Sequence, residues 1–174
     1  SFSTRVQRSA KSDPGSLIDN FRVFLANDYK DMPKNRGALW NLATFNNLLY
    51  IHMEDSLLLT KGKQTMALKD GAEAFIGSGD IFAQDPDELL QTEEGYGGTN
   101  SQFCTLITKH GYFFVDKRNG KVFMASQKLV EISKNGMESW FRQNIDDEKW
   151  NYRLPDSPII GTGFVSGWDE KNDR

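Results

Sequence analysis

Few side chains in this 174-residue chain are of types that do chemistry, and their spacing argues against most of it. There are two histidines, His52 and His110, and one cysteine, Cys104, with neither a CxxC nor an HExxH pattern. Zinc is held by three or four thiolate, imidazole or carboxylate ligands at short, recognisable spacings. No metal is expected, and both histidines read as structural. Asp116–Lys121 (DKRNGK) imitates the start of a calcium loop, but Arg118 stands where an oxygen ligand is required. The stretch from Val122 to Lys128 also lacks the closing carboxylate. A hairpin turn accounts for those residues. Cys104 has no partner for an internal disulfide, and its place in a strand-like run makes it a small buried residue.

Nucleotide chemistry fares no better. Gly77-Ser78-Gly79 and Gly95-Tyr96-Gly97-Gly98 do not continue as GxxxxGK[ST] or GxGxxG. Gly161-Thr162-Gly163 meets its next glycine at Gly167, one residue late for a dinucleotide fingerprint. No cofactor is expected. Acids are plentiful but scattered (Asp80, Asp85, Asp87, Glu88, Glu93, Glu94), and no GxSxG or paired cysteine and histidine gives them a catalytic setting. The expectation is a protein that is not an enzyme. Aromatic residues outside the cleanest strands are the remaining clue: Tyr96, Trp150, Tyr152 and Trp168. They are candidate contact residues, since such rings give carbohydrate or protein contact area at low entropic cost.

The elements that carry these residues read as mainly β. From Gly95 to Phe141, a glycine-rich lead-in precedes the strands Phe103–Lys109, Tyr112–Asp116, Lys121–Ala125 and Leu129–Ile132. Turns are expected at His110-Gly111 and Asn119-Gly120, because tight hairpin turns need φ > 0 and glycine supplies it cheaply. Asn135–Ile145 is expected to be a helix with a capping box from Asn135 to Glu138. Its stripe Met137, Trp140, Phe141 and Ile145 should face the core.

Upstream, Leu48–Glu54 and Ser56–Thr60 form a second hairpin that turns near Glu54-Asp55. Its strand is apolar on both faces, as in a strand covered on both sides. Gln64–Leu68 and Ala72–Ile76 are further strand candidates. Asp85-Pro86-Asp87-Glu88 suits a short helical turn, with Asp85 capping and Pro86 in the first position. Ser16–Tyr29 fits a helix or a strand equally, and its apolar residues are expected to pack inward. Residues 1–20 read as an irregular N-terminal segment and 21–174 as the meander region. A final strand-like run, Gly161–Trp168, should lead into a strand beyond Arg174. With Ser1 in place of methionine, the chain reads as processed, tagged or cut from something longer.

Composition sets outer bounds. An apolar share of 38% and a charged share of 26% permit a globular domain. A net charge of -3 argues against nucleic-acid and acidic-membrane partners. No apolar run approaches the roughly 20 residues of a membrane span. Short strands between turn signals suit a sandwich, barrel or propeller, and antiparallel meanders arranged radially would be propeller blades. The chain holds about three such blades and a propeller needs at least about four. It would then be a fragment of a larger β-propeller.

Three stretches, GYGGTNSQ, GYFFVDKRNGKVF and LVEISKNGMESWF, together resemble a segment of large virion proteins of crAss-like and related tailed phages. These are the β-propeller-bearing tail components described as muzzle, tail-hub or stabilisation proteins. The likeness falls on Gly98-Thr99, on Gly111–Asp116 with Gly120–Phe123, and on Ile132-Ser133 with Gly136-Met137 and Trp140-Phe141. A looser likeness extends it from about Arg22 to the ending GTGFVSGWDEKNDR. The resemblance implies a structural virion protein of the phage tail, several copies of which form a ring through contacts with one another and with neighbouring tail proteins. Ser1 and the missing final strand further suggest a proteolytic cut within a virion polyprotein. The alternative is a carbohydrate- or receptor-binding β-module using Tyr96, Trp150 and Trp168, and a third reading is a glycoside-acting enzyme.

Overall fold

The computed structural model describes residues 2–15, 17–60, 64–67, 73–76, 80, 82–90, 96–126, 128–145, 156–160 and 163–173. The chain opens with a two-stranded ribbon, β1 (Arg5–Gln7) against β2 (Tyr29–Asp31), in register Val6 to Lys30. A strand thus lies inside the N-terminal segment expected to be irregular. Next come β3 (Leu39–Phe45), β4 (Leu48–Met53) and β5 (Leu57–Leu59), joined by tight turns. A second small ribbon pairs β6 (Gln64–Ala67) with β7 (Glu73–Ile76). The short β8 (Asp87–Glu88) then returns to β5, completing a four-stranded antiparallel sheet in the order β3-β4-β5-β8.

The second sheet is a simple meander of β9 (Thr105–Thr108), β10 (Gly111–Asp116), β11 (Lys121–Ala125) and β12 (Leu129–Glu131). A single 3-10 turn, Ile132–Lys134, leads to helix α1 (Glu138–Asn144).

The two sheets face each other, and alternation decides what each face holds. On β4, Tyr50 and His52 point inward, and their rings lie 5.9 Å from Tyr112 and 4.5 Å from Phe114 respectively. Ala43 and Leu57 join Tyr112, Phe114, Phe123 and Ala125 in the same buried layer. The other face of β4, Ile51 and Met53, meets Val6 and Met32 from the N-terminal ribbon, with Leu58 beside them. β4 is therefore buried on both sides, as its two apolar faces predict. On the outer face of the second sheet, Val115 packs with Cys104 and Ile145, and Phe164 lies against them. Burying each large apolar side chain in these layers contributes roughly 1.5–3 kcal/mol.

The mainly antiparallel β expectation holds, and several local readings need correction. Asp87–Glu88 is a strand and not a helical turn, because the free edge of β5 offers backbone partners to Leu89 and its neighbours. Residues 163–168 are not strand: Ser166 N–H reaches the Phe103 carbonyl at 2.9 Å, but no ladder continues. Gly111 is already inside β10, where a Cβ would come within 2.8 Å of the Ala125 carbonyl. Its smallness serves that close approach, and the turn itself is Lys109-His110. Gly120 does supply a positive φ of 60°.

Helix α1 starts three residues later than expected, with Met137 as its cap and no side-chain capping bond, so the Asn135–Glu138 box is absent. Of its stripe only Ile145 is fully buried, while Met137 and Trp140 are about half exposed. The stretch around Ser16–Tyr29 is neither helix nor strand up to β2, apart from a 3-10 turn at Asn20–Arg22. Its Leu17, Ile18, Phe21, Phe24 and Leu25 point to solvent, against the expectation that they pack inward.

Candidate functional site

The residues singled out as chemical mostly turn out to be stitching between the two sheets. His52 is fully buried, with Nε2 3.1 Å from the Gly97 carbonyl and Nδ1 2.9 Å from the Tyr112 hydroxyl. A carbonyl only accepts, so Nε2 carries the proton and Nδ1 accepts from the tyrosine O–H. Burial lowers the imidazole pKa to about 3, although the bond to Gly97 works in the opposite direction. Its lone pair is occupied and its ring is sealed from water. Cys104 is equally buried, with its sulfur 3.0 Å from the Thr99 hydroxyl. Burial raises its pKa and keeps it a thiol, as expected for a packing residue.

A cleft of about 220 Å³ opens where the β4–β5 turn, the Gly98–Asn100 segment and the β10–β11 turn converge. The glycine-rich segment is zipped to the first turn by Tyr96 N–H to the Asp55 carbonyl (3.0 Å) and Thr99 N–H to the Met53 carbonyl (3.1 Å). Gly98 lies so close that a Cβ there would overlap the Glu54 carbonyl. At the floor, Asp116 accepts from Gly97 N–H (2.9 Å), Asn119 N–H (3.1 Å) and Asn119 Nδ2 (2.7 Å). Burial still pushes its carboxyl upward, outweighing those bonds.

Both cations that line this cleft are ion-paired. Arg118 pairs with Asp55 across the two sheets. Lys117 pairs at 2.5 Å with Asp156, and both side chains are nearly sealed from solvent. Among the described residues, the second oxygen of Asp156 and the buried amide oxygen of Asn100 have no hydrogen-bond partner. Asp116–Lys121 is the hairpin turn that the sequence suggested in place of a calcium loop. Among the described residues, no group of three or more His, Cys, Asp and Glu side chains is arranged to hold a metal ion.

The scattered acids are also engaged. Asp80 pairs with Arg8 at 2.5 Å, Asp85 with Lys30 at 2.6 Å, and Glu88 with Arg36 and the Ser56 hydroxyl. Asp87 belongs to β8, and Glu93 and Glu94 lie outside the described residues.

The candidate contact aromatics divide. Tyr96 sits edge-on to Phe123, and its hydroxyl meets Lys121 Nζ at 2.5 Å and Glu131 at 2.9 Å. It is half buried and braces the glycine-rich segment against β11 and β12. Trp150 and Tyr152 lie outside the described residues. Trp168 is half buried, edge-on to His110 at 5.8 Å, and lines a shallow depression of about 400 Å³ with Ile107, Thr108, Lys109 and Glu170. His110 itself is at the surface, 3.3 Å from Asp173.

Sequence reasoning missed the long-range ion pairs, which join residues 39 and 63 positions apart (Lys117–Asp156 and Arg118–Asp55). No local pattern announces them. It also missed β3, for which a signal existed. Asn46 and Asn47, with φ of 50° and 60°, form the two-residue turn into β4, and paired asparagines are suited to that geometry.

Two packed antiparallel sheets, with a polar cleft between their turns and large apolar side chains left outside, define a mainly β module. No helix among the described residues is long and apolar enough to cross a membrane. The chain belongs to the Crassvirus muzzle protein family, whose model matches residues 1–174. It is accordingly a structural component of the phage tail and resides in the virion. Among curated proteins, none matches the sequence.

Proposed function

We propose that this chain works as a non-enzymatic tail component through subunit–subunit contacts, with several copies arranged in a ring. The observation that carries this reading is a division of side chains. The titratable groups of the cleft are neutralised pairwise or buried in hydrogen bonds, whereas Leu17, Phe21, Ile159 and Ile160 stand in solvent. Large apolar side chains left this exposed support a role in contacts with other molecules. The second sheet is a four-stranded meander, and the first keeps sequential strand order with the β6–β7 ribbon inserted before β8, which supports reading them as consecutive blades of a larger propeller.

Electron microscopy and sedimentation of the purified chain test the reading. Ring-like particles containing several copies are the expected outcome. A strictly monomeric protein that also fails to bind any neighbouring tail protein would sink it.

A carbohydrate- or receptor-binding role remains the second reading, favoured by the Trp168 depression. Specific glycan-array binding lost on Trp168→Ala would establish it in place of a purely structural role.

A further inference from the structure

Asn-Gly pairs carry a reaction of their own, and the chain has two of them, Asn119-Gly120 and Asn135-Gly136. Glycine has no Cβ to shield its amide nitrogen or restrict the backbone, so that nitrogen can reach the asparagine Cγ. A C–N bond forms there while the Cγ–Nδ2 bond breaks. The side-chain nitrogen leaves as ammonia, taking up the proton that the glycine nitrogen gives up. Water then opens the resulting succinimide at either carbonyl and leaves an aspartyl or an isoaspartyl residue. Nothing is oxidised or reduced, and water is the only co-reactant. The reaction needs a free asparagine side chain and a backbone that can rotate, so the fold decides which pair reacts.

Asn119 has neither. Its Nδ2 donates to one oxygen of buried Asp116 at 2.7 Å, and its N–H donates to the other at 3.1 Å. Gly120 N–H reaches the Lys117 carbonyl at 3.3 Å, which closes the hairpin turn. Gly120 itself is buried under the end of α1, where a Cβ would come within 3.0 Å of the Ile145 carbonyl and 3.1 Å of the Arg142 Cα. Rotating this backbone would break the bonds to Asp116 and push against the helix.

Asn135 differs on each count. It is exposed, and among the described residues its side chain has no hydrogen-bond partner. Its φ of -77° and ψ of 65° make an inverse γ-turn, closed by Gly136 N–H to the Lys134 carbonyl at 2.8 Å. A small surface turn of this kind opens at little cost. Gly136 is also exposed, and nothing lies within 4 Å of the position its Cβ would take. Rotation here displaces no neighbour of the glycine.

We propose that Asn135-Gly136 is a site of spontaneous deamidation in the folded protein, and that the bonds to Asp116 protect Asn119-Gly120 from the same reaction. The product places a new carboxylate beside the Lys134–Glu131 pair. Its isoaspartyl form also lengthens the main chain by a methylene between the 3-10 turn and α1. The modification is independent of whether the chain acts through subunit contacts.

The test holds the native chain in warm, mildly alkaline buffer, which eases loss of the glycine amide proton, and follows both sites by peptide mapping with mass spectrometry. The peptide containing Asn135 should convert to a doublet of aspartyl and isoaspartyl forms. Its conversion should be at least about tenfold faster than that of the Asn119 peptide, which must first give up two bonds to a carboxylate. In concentrated urea the protection disappears, and the two peptides should convert at matching rates. Gly136→Ala should slow the reaction at Asn135, and Asp116→Asn should raise the Asn119 rate toward its value in urea. Circular dichroism checks that each variant folds, and where Asp116→Asn does not, the comparison of native and urea rates decides.

Equal native rates at the two asparagines would mean that Asp116 protects nothing, and would overturn the proposal. It is equally overturned if Asn135 reacts far more slowly in the folded chain than in urea, because the turn at Gly136 would then be closed to the reaction.

Discussion

The Tyr112 hydroxyl donates to Nδ1 of His52 across 2.9 Å, and this bond couples the middle strand of each sheet through the shared core. On its other side the same imidazole holds the Gly97 carbonyl, so one side chain fixes the spacing of two sheets and a loop.

Acid should therefore loosen the fold through His52. Its folded pKa is about 3 against an ordinary 6.5, so the unfolded chain binds the proton first. The stability contributed by keeping this group neutral is full above pH 6.5 and is lost progressively as pH falls toward 3. The whole gap corresponds to roughly 5 kcal/mol as an upper limit. Urea titrations between pH 7 and 4 should show this slope, and His52→Gln should flatten it while lowering stability at pH 7. Parallel slopes for the two proteins would refute the assignment.

Lys117 and Asp156 form a buried pair, and breaking one side strands the other. Lys117→Met should cost about 3–5 kcal/mol because it leaves a carboxylate buried without its counter-charge. Adding Asp156→Ala should return part of that loss. Chemical denaturation of the two single variants and the double variant measures the coupling, and strictly additive losses would exclude a functional pair.

Gly98 and Gly136 separate two reasons for glycine. At Gly98 a Cβ would overlap the Glu54 carbonyl, so Gly98→Ala should cost about 3 kcal/mol through overpacking. At Gly136 the space is open and φ is +86°, so alanine there should cost only about 1–2 kcal/mol of backbone strain. Thermal unfolding of both variants checks the order, and equal losses would mean the Gly98 contact can relax.

Cys104 should resist alkylation in the native protein. Its thiol is buried and its pKa raised, so iodoacetamide should label it only as the fold opens. Labelling by mass spectrometry across a urea series should track global unfolding. Rapid modification without denaturant would mean that the Thr99–Cys104 region opens by itself.

Much of the architecture is written locally. Alternation set the two faces of β4, and Asn119-Gly120 marked the β10–β11 hairpin through glycine's access to positive φ. A turn or a strand face depends on a few adjacent residues, so the sequence by itself determined the antiparallel meanders, the buried Cys104 and the structural reading of His52. The residue stretches on and around those strands, GYFFVDKRNGKVF among them, also carried the family resemblance. Partnerships between distant residues were decided only by the tertiary structure. Asp87–Glu88 has helix-starting chemistry, yet the open edge of β5 draws it into a strand. Phe21 and Phe24 look like core residues, yet the ribbon beside them fills the sheet face with Val6 and Met32 and leaves them outside. Composition can state that a side chain is apolar. Whether it is buried depends on which other surface reaches that face first, and only the folded chain sets that.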